Sequence, residues 1–324
     1  TDANVNDNPL HVNLDTLTAA GGGTLSLIDD GTVEGGRSWT YTPSDDFNGS
    51  INLSYAVSDG TESVSTVASI TVTAVNDASS IDGDVSGSVF EDGQTLMSSG
   101  NLKATDIDGA AEEVFQAQTE TAVDYGTFSI DANGSWIFTL DNTDAAVQLL
   151  GVGDRLDTMI SVQSADGTMQ DILITIDGTN DVPVIAGAVS ASLSEDVLVD
   201  GSGNLVASGQ LLITDADAGE ANFQVGTLPG TYGSLDIDAS GAWTYTVDNA
   251  LADVQGLGAG DALTDTIPVP SADGTMQNIT ITIDGANDAP DVTGLVQGSQ
   301  SEDGALFTLD LLSGASDVDA GDTL

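Results

Sequence analysis

The side chains that could do chemistry in this chain are carboxylates, and they recur at fixed places. Glu91-Asp92 returns as Glu195-Asp196 and again as Glu302-Asp303. An Asp-x-Asp pair stands at Asp106 and Asp108, at Asp215 and Asp217, and at Asp317 and Asp319. A third element, Asn76-Asp77, returns as Asn180-Asp181 and Asn287-Asp288. Carboxylate and amide oxygens are hard donors, and six to eight of them make the ligand set of Ca2+. Mg2+ suits them less, because it wants a strict octahedron and keeps waters. Softer metals have nothing to bind, since the chain has no Cys and a single His, His11. Asp59, Asp166 and Asp273 each precede a glycine. Asp-Gly is a common hairpin turn, so these acids are turn formers or further ligands, with neither reading preferred.

Composition bounds what the carboxylates can mean. Against 52 Asp+Glu stand three Lys+Arg, a formal charge of -49 over 324 residues. Nine of the acids are Glu and 43 are Asp. Asp is a poor helix former that suits tight turns and metal-binding loops. This charge argues against nucleic acid or an anionic membrane surface as a partner. It also repels itself, so counterions are expected, divalent ones being the efficient kind. A solvated acidic surface is the ordinary fate of a single Asp, so position has to decide. Without cysteine there are no disulfides or thiol chemistry. No segment approaches the ~20 apolar residues of a membrane span. The chain opens Thr1-Asp2-Ala3-Asn4, with neither signal peptide nor initiator Met, and reads as a piece of something longer.

The elements that position these acids repeat too. Residues 125–142 read YGTFSIDANGSWIFTLDN and residues 232–249 read YGSLDIDASGAWTYTVDN; SADGTMQ occurs at 164–170 and at 271–277. Both offsets are 107 residues. A weaker copy upstream aligns Trp39-Thr40-Tyr41 with Trp243-Thr244-Tyr245, so Trp39, Trp136 and Trp243 share one repeat position, read as core packing. In the same register Asp2 and Asn4 take the place of Asp106 and Asp108, with Asn4 replacing the second acid. Four units follow: residues 1–77 with their opening missing, 78–181, 182–288, and 289–324 as the start of a fourth.

Apolar residues alternate strictly in several runs, as at Ile51, Leu53, Tyr55, Val57 and at Ile279, Ile281, Ile283. That is the period of strands with one buried face. Turn signals at Asp59-Gly60, Asn133-Gly134, Asp166-Gly167 and Asp273-Gly274 punctuate them. Units of this length fit an all-β sandwich of about seven strands. Pro268 and Pro270 require an edge strand, because proline donates no ladder bond. Residues 144–150 and 251–257 are expected to form short helical turns. Tracing the chain, the strand Ile81–Phe90 delivers Glu91 and Asp92 to the bottom of its unit, where the last strand also leaves Asn180 and Asp181. There they should meet Asp215 and Asp217 at the top of the next unit, with Asp273 close by. Like charges would not be gathered so without a cation.

These residues resemble the VCBS repeats and the bacterial cadherin-like repeats of giant RTX-type adhesins. Residues 78–288 look like two VCBS units, with DGTNDVPVI at 177–185 as the most telling junction. Residues 1–77, with WTYTPSDDFNGSINLSYAVSDG at 39–60, look more like the cadherin-like variety, as does EDGALFTLDLLSGASDVDAGDTL at 302–324. The resemblance implies tandem Ig/cadherin-like sandwiches in an extended rod, secreted to a bacterial cell surface and serving adhesion or biofilm formation. It also implies Ca2+ at Asp-x-Asp and the Asn-Asp linker. Asn76-Asp77-Ala78-Ser79 lacks the linker proline, which implies a looser junction. The glycine-rich nonapeptide repeat of RTX proteins is absent from the sequence.

Three function classes follow. A calcium-stiffened spacer, whose partners are neighbouring repeats of its own chain, accounts for carboxylates that recur at junctions. A module gripping a carbohydrate or protein through loops at the sandwich ends is the alternative. Against it, the second and third copies have nearly the same loops. An enzyme would need groups that stand out from the repeat. Here the notable carboxylates recur in every copy, and no phosphate-cradling loop or nucleophile elbow is present.

Overall fold

The computed structural model describes residues 10–20, 22–28, 38–304 and 306–321. Asp2 and Asn4 lie outside them. The first copy contains β1 (His11–Ala20), β2 (Gly23–Ile28), β3 (Ser38–Pro43), β4 (Gly49–Ser58) and β5 (Ser63–Val72). The second contains β6 (Ser80–Gly83), β7 (Ser86–Phe90), β8 (Met97–Thr105), β9 (Gln118–Val123), β10 (Gly126–Ile130), β11 (Ser135–Leu140), β12 (Arg155–Gln163) and β13 (Met169–Asp177). The third repeats this as β14 (Val184–Gly187), β15 (Ser190–Ser194), β16 (Asn204–Thr214), β17 (Gly226–Pro229), β18 (Ser234–Ile237), β19 (Ala242–Asp248), β20 (Ala262–Pro270) and β21 (Met276–Asp284). One helical turn, α1 (Ala252–Gln255), interrupts it, and β22 (Asp291–Val292) and β23 (Ala315–Ser316) follow.

The fold is all-β. The second and third copies each make a five-stranded sheet, β6-β8-β11-β10-β9 and β14-β16-β19-β18-β17, and a three-stranded one, β12-β13-β7 and β15-β21-β20. Each thus has eight strands where about seven were expected. The added strand comes from the first: Ile81–Phe90 is not one strand but two, in different sheets. β6 pairs with β8, and β7 crosses to lie beside β13. Gly83 makes the crossing with φ 124, and a Cβ there would sit 2.3 Å from the Asn101 carbonyl oxygen. Gly187 does the same at φ 104. Only glycine tolerates both the dihedral and the approach.

The alternating apolar residues form the core. Ile172, Ile174 and Ile176, and likewise Ile279, Ile281 and Ile283, are fully buried. Each such side chain contributes roughly 1.5–3 kcal/mol. Trp136 and Trp243 are buried, their indole N–H groups donating to the carbonyls of Asp84 at 2.9 Å and Ala188 at 3.0 Å. Trp39 departs from the expectation and is only half-buried. Its strand β3 pairs with β2 alone, in a two-stranded sheet, so among the described residues less sheet covers it. Pro268 and Pro270 do lie on an edge strand, β20. Of the two expected helical turns, residues 252–255 form α1, and 145–149 form consecutive turns.

The chain divides into two compact units. The first gathers Thr1–Val89, Gln94–Asp141 and Asp157–Thr175. The second gathers Phe90–Gly93, Asn142–Leu156 and Ile176–Leu324. The turn that carries Glu91 and the loop before β12 therefore pack with the third copy, although their strands belong to the second.

Candidate metal centres

Three acidic clusters emerge, each contained in one compact unit. The fullest lies in the second unit. The turn after β7 supplies Glu91 and Asp92, the segment after β13 supplies Asn180 and Asp181, and the end of β16 supplies Asp215 and Asp217. Glu91 is 1% exposed, and its Oε1 accepts the Thr179 N–H at 3.0 Å. The Asp181 N–H donates to Asp217 Oδ2 at 2.9 Å, and the Asp217 N–H donates to Asp215 Oδ1 at 3.0 Å. Asp215 and Asp217 thus each spend one oxygen on fixing the backbone. The others, Glu91 Oε2, Asp181 Oδ2, Asp215 Oδ2, Asp217 Oδ1 and Glu220 Oε2, are buried without a hydrogen-bond partner.

The carboxyls of this cluster feel one another's charge. Burial pushes the Glu91 carboxyl up, the Thr179 N–H opposes this, and the charges of Asp92, Asp181 and Asp217 push it further. Asp181 is raised by burial, then by Asp92 and Asp217. Glu220 is raised by burial, then by Asp217, Asp215, Asp273 and Asp154. Leaving a buried acceptor unsatisfied costs about 1–3 kcal/mol, more when charged. Five such oxygens in one neighbourhood are groups a hard cation could serve, although among the described residues only Asp106, Asp108 and Glu112 bring three carboxylate oxygens within 4.8 Å of one another.

The third junction repeats the construction. Glu195 is fully buried and takes the Ala286 N–H on Oε1 at 2.6 Å. The Asp288 N–H donates to Asp319 Oδ2 at 2.9 Å, and the Asp319 N–H to Asp317 Oδ1 at 3.1 Å. Glu195 Oε2, Asp288 Oδ2 and Asp319 Oδ1 are buried without partners. Burial first, then Asp196 and Asp319, raise Asp288.

The first cluster, in the first unit, is shallower. Asp77 donates its N–H to Asp108 Oδ2 at 2.7 Å, and Ser79 Oγ donates to Asp106 Oδ2 at 2.6 Å. Carboxylate oxygens of Asp106, Asp108 and Glu112 lie within 4.8 Å of one another. These three are half-buried, and only Glu112 Oε2 is buried and partnerless. Among the described residues none here takes the place of Glu91 or Glu195.

The remaining candidates fall into three kinds. Asp92 and Asp196 sit in the left-handed region at φ 50 and 55, where their N–H groups meet Asn142 and Asn249. Their carboxylates still reach Asp181 and Asp288. Asn76, Asn180 and Asn287 donate to the carbonyl of the next residue, which leaves Oδ1 to face elsewhere. Asp166 and Asp273 build their own turns, accepting from Ser164 and Thr168 and from Ser271 and Thr275. They also reach the linkers, at Ser79 N and, at 3.4 Å, Asn180 Nδ2. For Asp273 burial is outweighed by these hydroxyl and N–H donors, and its carboxyl is held at about 2. Glu302 and Asp303 are exposed and join no cluster among the described residues.

The sequence reading passed over Glu112, Glu220 and Asp154. Glu112 and Glu220 follow the Asp-x-Asp pair by four and three residues, an unequal spacing that hides the correspondence. Asp154 and Asp261 end the repeated stretches Leu150-Gly-Val-Gly-Asp154 and Leu257-Gly-Ala-Gly-Asp261, a signal that was available. The glycine has a use: a Cβ at Gly151 would lie 3.2 Å from Glu220 Oε1 and 3.6 Å from the Asp217 carboxyl carbon.

Known families agree with this architecture. Residues 180–285 match the model of the bacterial cadherin-like domain, and residues 1–73 match that of the cadherin-like domain. The chain therefore carries cadherin-like domains over these two stretches. No curated protein matches it. Among solved structures, extracellular cadherin domains 1–5 of protocadherin gamma B2 match at 18% identity and TM-score 0.49, over 98% of this chain and 64% of that one. The extracellular domain of protocadherin gammaB4 matches at 16% and 0.47, over 94% of this chain and 49% of that one. Mouse cadherin-23 EC22-24 matches at 16% and 0.46, over 83% and 85%. The chain spans less than two thirds of the two protocadherin chains.

Proposed function

We propose that this chain is a calcium-stiffened extracellular spacer of a large bacterial surface adhesin, supporting cell adhesion or biofilm formation. Its units are residues 1–77, 78–181, 182–288 and the opening of another at 289–324, with calcium at each junction. Tandem cadherin-like domains are consistent with an adhesion-related extracellular module and are typically not enzymes. Among the described residues no helix is long and apolar enough to cross a membrane.

One observation carries the reading. Five buried carboxylate oxygens of Glu91, Asp181, Asp215, Asp217 and Glu220 have no partner, in a cluster drawn from both sides of a repeat junction. Ca2+ would supply the positive charge these oxygens lack and accept several of them at once. The residues of the chain would do the rest. Glu91 and Asp181 come from one repeat and Asp215, Asp217 and Glu220 from the next, so holding one ion would tie the two together. Extracellular calcium modules often bind at ~10⁻⁴–10⁻³ M, so stiffness would respond to the medium.

A calcium titration of the whole chain, followed by small-angle scattering and thermal melting together, tests this. Calcium should narrow the distribution of particle dimensions and raise the melting temperature, and Asp215→Ala with Asp217→Ala should remove both effects. If calcium changes neither property of the unaltered chain, the spacer mechanism fails.

A further inference from the structure

One buried carboxylate lies outside the three acidic clusters. Asp265, in β20, is 1% exposed. Its Oδ1 accepts the Thr231 N–H at 2.8 Å. Its Oδ2 accepts the N–H groups of Tyr232 at 3.1 Å and Gly233 at 3.3 Å, and the Tyr245 hydroxyl at 2.9 Å. Three successive N–H groups turned onto one anion make a nest. β20 belongs to the three-stranded sheet, whereas the turn between β17 and β18 and Tyr245 in β19 belong to the five-stranded one. The carboxylate therefore bonds one sheet of the third sandwich to the other.

The second copy is built differently at this point. At the offset of 107 residues Thr158 stands for Asp265, Phe138 for Tyr245 and Val123 for Gly230. Thr158 and Phe138 are buried as their counterparts are. The three differences belong together. A Cβ at Gly230 would lie 2.2 Å from Asp265 Oδ2, so the carboxylate at 265 requires glycine at 230. Phe138 has no hydroxyl to donate, and Thr158 carries no charge that needs one. A buried carboxylate without its donors would be costly, so acid, phenol and glycine form one set.

We propose that Asp265 is an acid-released clamp: as a carboxylate it holds the 229–233 turn against β20, and on protonation it lets the turn go, in the third copy and not in the second. Its hydrogen-bonding partners are all donors. A protonated carboxyl would turn its own O–H toward them, with only the Tyr245 oxygen able to accept. The titratable groups around it are phenols, Tyr245 from β19 and Tyr232 from the turn, and β21 sets Ile281 opposite. None of the carboxylates proposed as calcium ligands takes part.

The sign of the pH dependence follows from the same contacts. Burial pushes the Asp265 carboxyl up, but the N–H groups of Thr231 and Tyr232, the Tyr245 hydroxyl and the Gly233 N–H outweigh it and hold it below its ordinary 3.8. A group lowered in this way stabilises the closed turn fully above the ordinary value. That stabilisation is lost as pH falls through the lower, folded value.

Amide hydrogen exchange of the whole chain, read by mass spectrometry from about pH 5 to about pH 2 and corrected for intrinsic rates, tests the clamp. Exchange in residues 229–233 should quicken below the ordinary value, steepening toward about tenfold per pH unit, the slope of one proton. Residues 122–126 of the second copy should show no such step. Asp265→Asn should leave the 229–233 amides exchanging quickly at every pH. Should that variant fail to fold, Gly230→Val, Asp265→Thr and Tyr245→Phe together install the second copy's own set, which should fold and lack the step. A flat profile in 229–233 overturns the proposal. So does a step of equal size in both copies, since acid would then loosen the sandwiches as wholes, and so does a step that survives the triple exchange.

Discussion

The first and second acidic clusters draw on the same motifs, an Asp-x-Asp pair, an Asn-Asp linker, a hairpin Asp and a following Glu, yet differ in depth. In the second, Glu91 at 1% and Asp217 at 2% exposure are sealed, and five carboxylate oxygens lack partners. In the first, Asp106, Asp108 and Glu112 are half-buried and a single oxygen is in that position. The count of acids does not separate them. A glutamate delivered from the turn after β7, with its N–H tied to the Asp177 carbonyl at 3.1 Å, does. Burial takes water away from the carboxylates, so that a cation or a proton has to neutralise them.

The largest effect expected from this difference is on calcium stabilisation. At a hundredfold excess over the dissociation constant, one occupied site adds about 2.7 kcal/mol to folding. Glu91→Ala combined with Asp217→Ala should remove that increment at the second cluster, read as the loss of one calcium-dependent rise in melting temperature. Glu112→Gln, at the shallower cluster, should lower the calcium-dependent rise far less by the same measurement. If the two losses are equal, burial is not what distinguishes the clusters.

Acid sharpens the contrast without any mutation. Burial, with the neighbouring carboxylates, raises Glu91, Asp181 and Glu220 above their ordinary values in the folded chain. Between the ordinary and raised values the folded state then binds more protons than the unfolded one. In chelator, stability should therefore rise as pH falls from neutral toward the ordinary carboxylate range. Saturating calcium should abolish or reverse the slope, because the ion holds the same carboxylates ionised. Melting temperature against pH, with and without calcium, checks both signs.

Gly151→Ala should give the smallest effect. The added Cβ would press on Glu220 Oε1 at 3.2 Å, so calcium affinity should fall a few-fold while the chelated protein melts as before. Calorimetry on the variant measures it, and an unchanged affinity would remove Glu220 from the ligand set.

Much of this was legible in the residues because the repeat shows each element more than once. The offset of 107 aligned the sandwiches, and the Ile279, Ile281, Ile283 alternation marked a buried face that is buried. The chain trace expects Glu91, Asp181 and Asp217 at one junction, where the Asp181 N–H donates to Asp217 Oδ2 at 2.9 Å. Three features escaped. The split of the first strand at Gly83 depends on a sheet crossing that alternation cannot express. Glu220 follows its Asp pair at a different spacing from Glu112, and Asp154, although its stretch repeats, comes near Glu220 only through the fold. Trp39 shares its repeat position with two core tryptophans but not their surroundings, since among the described residues its sheet has two strands.

The central claim is that the second cluster holds calcium, and diffraction from crystals grown with calcium, using its anomalous signal, tests it most directly. The account predicts a peak about 2.3–2.6 Å from oxygens of Glu91, Asp181 and Asp217, drawing further ligands from Asp215 or Glu220. A map with no peak there, at a calcium concentration well above the extracellular range, would contradict it.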